Sequence, residues 1–253
     1  MTSKRIIPQF LLSGTRLVKG TRFSDFIDVG DPVSQAMIYD AQGADEIILV
    51  DINASAEHCI IDTRLIERLI EKCRLPITIG GGIRSVEDAV KCFAAGADKI
   101  VINTHASDTP GLVEELSDEF GSQSVVVSID VKKKGNGEYS IHVLSGKKPV
   151  SESLDTYLDR VVGYGAGEIL ITSINHEGTL TGFDLPLYQH LHENLPVSLI
   201  GSGGAGRYDD IVSLFRETRC DACTLGKMLF LRDYDIVRIK AYLTEKGIPI
   251  RDA

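Results

Sequence analysis

AQGADEIILVD at positions 41–51 and GYGAGEILITS at 163–173 decide the fold. Laid over each other, Gly43, Ala44 and Glu46 meet Gly165, Ala166 and Glu168, an internal echo of the kind a duplicated chain leaves. The runs EIILVDI at 46–52 and EILITSI at 168–174 are short and apolar, as buried strands are. Six further runs share this character: RIIPQFLL at 5–12, PITIG at 76–80, KIVINT at 99–104, SVVVSID at 124–130, VSLIGS at 197–202 and ACTLGK at 222–227. Helical patterns follow near 31–43, 61–73, 85–95, 110–120, 152–165, 185–193, 207–218 and 233–246, several opened by Asp, Ser or Pro. Strict alternation predicts a parallel sheet with right-handed crossovers, and eight repeats predict a closed (β/α)8 barrel, the TIM barrel.

The echo extends along both halves. PITIGGGIRS at 76–85 resembles PVSLIGSGGAG at 196–206, and Asp98 before strand four matches Asp221 before strand eight. The expectation is one domain over 1–253, made of duplicated half-barrels of about 1–121 and 122–253. Two interruptions are read, a loop at 13–30 after strand one and a polar stretch, KKKGNGEYSIHVLSG, at 132–146 after strand five, both on the face where barrel chemistry resides.

At 253 residues the chain suits one barrel of about 250 residues. With 43% hydrophobic and 25% charged residues, and 24 Gly against 8 Pro, it is globular rather than disordered or collagen-like. A net charge of −9 opposes general affinity for nucleic acid or an anionic membrane, while a local pocket stays open to phosphate. No apolar run is long enough to span a bilayer and no signal-peptide core opens the sequence, so a cytoplasmic setting is expected. The five cysteines are expected to be reduced; Cys220 and Cys223 form a CxxC without the second pair that zinc needs, so they are read as packing residues.

Gly80, Gly81 and Gly82 after strand three, and Gly201, Ser202, Gly203, Gly204 and Gly206 after strand seven, run directly into helices. Such turns aim free N–H groups at an anion, with the helix dipole behind them. One glycine would suffice for a tight turn; two glycine-rich turns at duplicated positions, with Asn103, Thr104 and Lys227 nearby, predict a ligand with phosphates at both ends. Asp51, Asn53, Asp130, Thr172, Ser173, Asn175 and Glu177 are the polar residues at strand ends, and acids there are expensive to bury unless paired or functional. Lys19, read as a surface lysine, draws interest only by lying near the mouth. At the opposite strand ends Arg5, Glu46, Lys99 and Glu168 could ring the barrel floor; charge alternation alone favours a solvated salt-bridge network.

The motifs KRIIP at 4–8, LVKG at 17–20, GDPV at 30–33, GGGIRSVEDA at 80–89, FGSQ at 120–123, GAGEILITS at 165–173 and GSGGAG at 201–206 resemble the cyclase subunit of imidazole glycerol phosphate synthase over nearly the whole chain. The resemblance implies a β/α barrel that takes ammonia from a glutaminase subunit, a class I glutamine amidotransferase, docked on its N-terminal face. It implies addition of that ammonia to a bisphosphorylated ribulosyl substrate at the C-terminal face. It makes Arg5, Glu46, Lys99 and Glu168 the gate of an ammonia tunnel and places Asp98 toward the glutaminase. It puts Asn103, Thr104, Gly81, Gly82, Gly203 and Gly204 at the phosphate sites and makes Asp130 one of two catalytic aspartates. No metal or organic cofactor is implied.

The second aspartate is missing. Where the family reads Cys-Leu-Asp-Val, this chain reads Gln9, Phe10, Leu11 and Leu12, and leucine transfers no proton. Asn175 and Glu177 stand where the family usually has aspartates, and Lys227 where it has a small polar phosphate ligand. This combination is similar to paralogues that act in acetamidino-sugar pathways with a glutaminase and a separate ATP-dependent amidotransferase. The readings carried forward are a nitrogen-transfer barrel of that kind, a cyclase of histidine biosynthesis, and a catalytically silent barrel that activates the glutaminase.

Overall fold

The computed structural model describes residues 3–191, 195–232 and 234–251. The chain runs from strand β1 (Arg5–Ser13) through a hairpin, β2 (Arg16–Thr21) and β3 (Ser24–Gly30), into helix α1 (Pro32–Ala41). Next come β4 (Ile47–Asp51) with α2 (Thr63–Ile70), β5 (Ile77–Gly80) with α3 (Val86–Ala94), and β6 (Lys99–Ile102) with α4 (Thr104–Asp108) and α5 (Gly111–Phe120). The fifth unit holds β7 (Val125–Lys133), outlying strands β8 (Tyr139–Val143) and β9 (Lys148–Pro149), and α6 (Leu154–Gly163). The last three are β10 (Glu168–Ser173) with α7 (Leu185–His190), β11 (Ser198–Ser202) with α8 (Tyr208–Glu217), and β12 (Ala222–Leu225) with α9 (Lys227–Leu231) and α10 (Ile236–Glu245). Parallel pairing of β12 with β1 and of β7 with β10 closes the eight-stranded barrel expected from the sequence.

The helices start where local chemistry satisfies their free N–H groups. Asp31 accepts from Ser34 N at 2.8 Å with Pro32 in the first turn, and Asp235 accepts from Arg238 N at 2.7 Å. Ser85 caps α3, whose first turn carries Glu87 and Asp88 against the positive dipole end. Of the helix expected near 185–193, positions 192 and 193 lie outside the described residues, as does position 233 of the last helix.

Period-two alternation splits each strand between two cores. Outward apolar residues such as Ile6, Leu49 and Ile100 pack beneath the helices, while Ile7, Ile48, Val101, Val126, Leu170, Ile200 and Ala222 meet on the axis as a separate collar. The half-barrel echo has a structural counterpart. Asp98 accepts from Ile77 N at 2.8 Å, and Asp221 accepts from Leu199 N at 3.2 Å, so each ties its strand to the preceding one. Cys220 and Cys223 are buried free thiols, and burial pushes Cys220 up to about 12, which fits their reading as packing residues.

One expectation is corrected. Residues 13–30 are not a plain loop: β2 pairs with β1 and β3 with β2 in an antiparallel extension whose tip places Arg22 and Phe23 in left-handed backbone. An Arg-Phe tip lacks the Asn-Gly signature that advertises such a turn. The polar stretch at 132–146 contains the end of β7 paired with β8, Lys132 opposite Ser140. Lysines on this solvent-facing ribbon mask its alternation.

Candidate functional site

At the N-terminal end of the barrel, Arg5 Nη1 lies 3.0 Å from Glu46 Oε2 and Arg5 Nη2 3.0 Å from Glu168 Oε2. Lys99 Nζ completes the ring at 3.1 Å from Glu46 and 2.8 Å from Glu168. These side chains are only 4–18% exposed, so the reading as a solvated network gives way to a largely desolvated closed ring. Burial works against the charge of Glu168, but Arg5 and Lys99 outweigh it and hold the carboxyl below its ordinary value. Sequence reasoning missed two further members: Ser198 Oγ accepts from Arg5 Nη2 at 3.0 Å, and Thr78 Oγ1 donates to Glu46. Both lie at strand starts, but small hydroxyls carry no charge to mark them. Asp98, beside the ring, is exposed on this face.

Above the ring comes the apolar collar, then a polar layer. Gln9 Oε1 accepts from Ser202 Oγ at 3.3 Å and from Thr224 Oγ1 at 3.4 Å. Position 9 points inward by its spacing from Arg5 and Ile7, a signal that period-two counting along β1 could have supplied.

Beyond this layer the C-terminal mouth opens into a cavity. Leu11, Asp51, Gly81, Gly82, Asn103, Thr104, Asp130, Thr172 and Glu177 line it, so most of the residues picked from the sequence do converge. Phe23 and Phe26 from the hairpin, with Ser55, His105 and Ser145, were missed. A loop reading of 13–30 hides the two phenylalanines. Asp130 is 9% exposed and accepts from Asn103 Nδ2 at 3.1 Å. Burial, with Glu177 second, lifts its carboxyl to about 7 despite that hydrogen bond. Asp51 accepts from Asn53 N at 2.9 Å and Ala54 N at 3.3 Å, and burial still raises its carboxyl.

Lys19 is a clear correction. It is no surface lysine but 1% exposed, donating from Nζ to Gln9 O at 2.5 Å and lying 5.2 Å from the Phe230 ring centre. Burial lowers its ammonium to about 8, opposed by Glu177. Lys227 donates to Thr21 Oγ1 at 2.7 Å, tying the start of α9 to the hairpin. Ser173, Asn175 and Ser202 serve the frame instead of lining the cavity. Ser173 Oγ donates to Asp184 at 3.0 Å, and Asn175 Oδ1 accepts from Lys133 N at 2.8 Å. Ser202 N donates to Tyr188 Oη at 2.9 Å.

The glycine-rich turns have the backbone an anion cradle needs. Gly81, Gly82, Gly203 and Gly204 all have positive φ, and a Cβ on Gly82 would collide with the Cys59 carbonyl oxygen. The N–H groups of Gly82 and Ile83, and of Gly204 and Ala205, donate to no acceptor among the described residues. They remain available to a ligand. Thr104 is held by Leu144 N, which donates to its Oγ1 at 3.2 Å.

The mouth therefore combines the glycine turn after β5 with buried carboxylates, Gly203 and Gly204 lie outside the residues lining the cavity, and the floor holds a closed charged ring. The family model described as histidine biosynthesis protein matches residues 5–235. Imidazole glycerol phosphate synthase subunit HisF of Methanocaldococcus jannaschii is 39% identical over 270 aligned positions, covering 99% of this chain and 99% of its own. On that family match and full-length similarity, the chain belongs to the histidine biosynthesis protein family, as a barrel of the cyclase-subunit type.

Proposed function

We propose that this barrel receives ammonia from a class I glutaminase docked on the face bearing Arg5, Glu46, Asp98, Lys99 and Glu168. The ammonia passes the ring along the barrel axis to a phosphorylated ligand at the mouth, where nitrogen is incorporated. The observation that carries the reading is the pairing, on one axis, of a desolvated charged ring with a mouth whose position 11 is apolar. Conduit and cradle are kept while one carboxylate of the cyclase pair is gone. This favours an acceptor other than the histidine-pathway ribulosyl bisphosphate, and we place it in acetamidino-sugar synthesis, with a separate ATP-dependent amidotransferase activating the acceptor.

The second reading, a cyclase in histidine biosynthesis, is favoured by the full-length similarity to the archaeal subunit. The third reading, a silent activator, leaves the mouth cavity and its cradles without a use. The deciding assay gives the purified protein the ribulosyl bisphosphate and ammonium ions. We expect little or no imidazole glycerol phosphate, because loss of a positioned acid or base lowers rates ~100- to 10,000-fold. Robust turnover overturns the leading reading in favour of the cyclase, and a complex with glutaminase that hydrolyses glutamine but delivers no nitrogen favours the silent activator.

A further inference from the structure

Gln9 stands out among the buried polar side chains because half of its amide has no use in the fold. It is 8% exposed and lines the mouth cavity from β1. Its Oε1 is occupied: Ser202 Oγ of β11 donates to it at 3.3 Å and Thr224 Oγ1 of β12 at 3.4 Å. An amide oxygen has two acceptor sites, and those hydroxyls fill them. Nε2 carries two N–H donors and gives neither to any described residue. It is also absent from the sealed polar atoms that lack a partner, so its donors face the open cavity. The backbone beneath is fixed as well, since Lys19 Nζ donates to Gln9 O at 2.5 Å.

Period-two counting sets the height of this amide on the barrel axis. Ile7, Ile200 and Ala222 belong to the apolar collar, and Gln9, Ser202 and Thr224 stand two residues further along the same strands, one layer nearer the mouth. Val50, Ser128 and Thr172 line the cavity at that level by the same count, and none of them carries a charge. Leu11 and Asp130 come one layer later. Whatever leaves the collar therefore meets the Gln9 amide before it meets a carboxyl group.

The geometry points to Gln9 as the ammonia-selective station of the barrel axis, its Nε2–H groups binding neutral ammonia through the lone pair at the exit from the collar. This role rests on the proposed passage of ammonia along that axis. Ammonia has one lone pair and three N–H bonds, whereas ammonium has N–H bonds alone. The amide donors thus offer ammonia a hydrogen bond and present to ammonium only the positive end of a dipole. The collar works to the same end, because a ring of aliphatic side chains strips a cation of its water and returns nothing. A lone pair engaged by Gln9 is shielded from protonation, so the nitrogen reaches the level of Leu11 as a nucleophile. The Cys that the family's motif carries here is a shorter side chain with only a weak S–H donor, so the station is particular to this chain.

The test uses the full-length protein with 15N in its glutamine side chains, ammonium chloride as the probe and potassium chloride to hold the ionic strength constant. No acceptor is needed, and Gln9→Leu identifies the Gln9 signals by removing them. At about pH 8.5 we expect the Gln9 side-chain amide to shift progressively as ammonium chloride replaces potassium chloride. At about pH 6 the same salt holds ~100-fold less neutral ammonia, and the shift should fall at least tenfold. Thr224→Val takes one hydroxyl from Oε1 and should weaken the response at least twofold, because an amide held by one bond can rotate its donors away. A Gln9 that merely serves Ser202 and Thr224 would not respond to ammonia at all. An unmoved Gln9 signal, an equal shift at both pH values, or a Thr224→Val protein that responds like the native one overturns the assignment. Association of the same native protein with the glutaminase is measured separately by calorimetry. Its absence would overturn the docking reading without touching the amide titration, so the two failures are distinguishable.

Discussion

Leu11 and Asp130 hold the sharpest contrast among single residues: one wall of the mouth is a leucine, and the other keeps an acid whose carboxyl burial lifts to about 7. Leu11→Asp should raise ammonium-dependent formation of imidazole glycerol phosphate from its low native level, measured by product assay. It should also lower stability, because the new carboxylate meets apolar neighbours. Asp130→Asn tests the electrostatics alone. The folded-state value of about 7 lies above the unfolded 3.8, so the stability associated with Asp130 is full below about pH 4 and is lost as pH rises toward 7. The variant should therefore melt several degrees above the native protein at pH 8 and close to it at pH 4, by calorimetry. Equal shifts at both values would contradict a buried, destabilising carboxylate.

Elements position these residues through their ends. The turn after β5 works because Gly82 has φ +71 and no Cβ to strike Cys59. Gly82→Ala should lower stability by about 1–3 kcal/mol and weaken inorganic phosphate binding more than the same change at Gly111, where a Cβ meets nothing. Denaturant titration and thermal shift with phosphate would measure the two effects. The hairpin of β2 and β3 does different work: it carries Lys19 beneath the mouth and brings Phe23 and Phe26 over it, so it is part of the cavity wall and not a tether.

For the whole molecule, the ring and the mouth lie at opposite ends of one barrel, and coupling between them is the property to measure. Because the ring is largely desolvated, Lys99→Met should not be the mild surface change that charge alternation suggests. It leaves Glu46 and Glu168 facing Arg5 alone and should lower stability by about 3 kcal/mol. In a complex with glutaminase it should also reduce the nitrogen delivered per glutamine hydrolysed. Full delivery by a folded Lys99→Met protein would separate the ring from the conduit.

The barrel is legible in the linear chain. Eight apolar runs alternating with capped amphipathic helices have one low-energy arrangement, since parallel strands must bury both faces, and the glycine-rich turns then fall at strand ends. The absence of an acid at position 11 was equally legible, because a side chain's chemistry does not depend on its surroundings. The side-chain environments come from contacts between distant strands. That Lys19 is sealed under Gln9, that Asn175 holds the backbone of β7 instead of facing the cavity, and that Arg5, Lys99, Glu46 and Glu168 share buried contacts all depend on strands distant in sequence. Proton affinity and ion-pair strength are set by desolvation and by charges a few ångströms away, and those neighbours exist only once the barrel has closed.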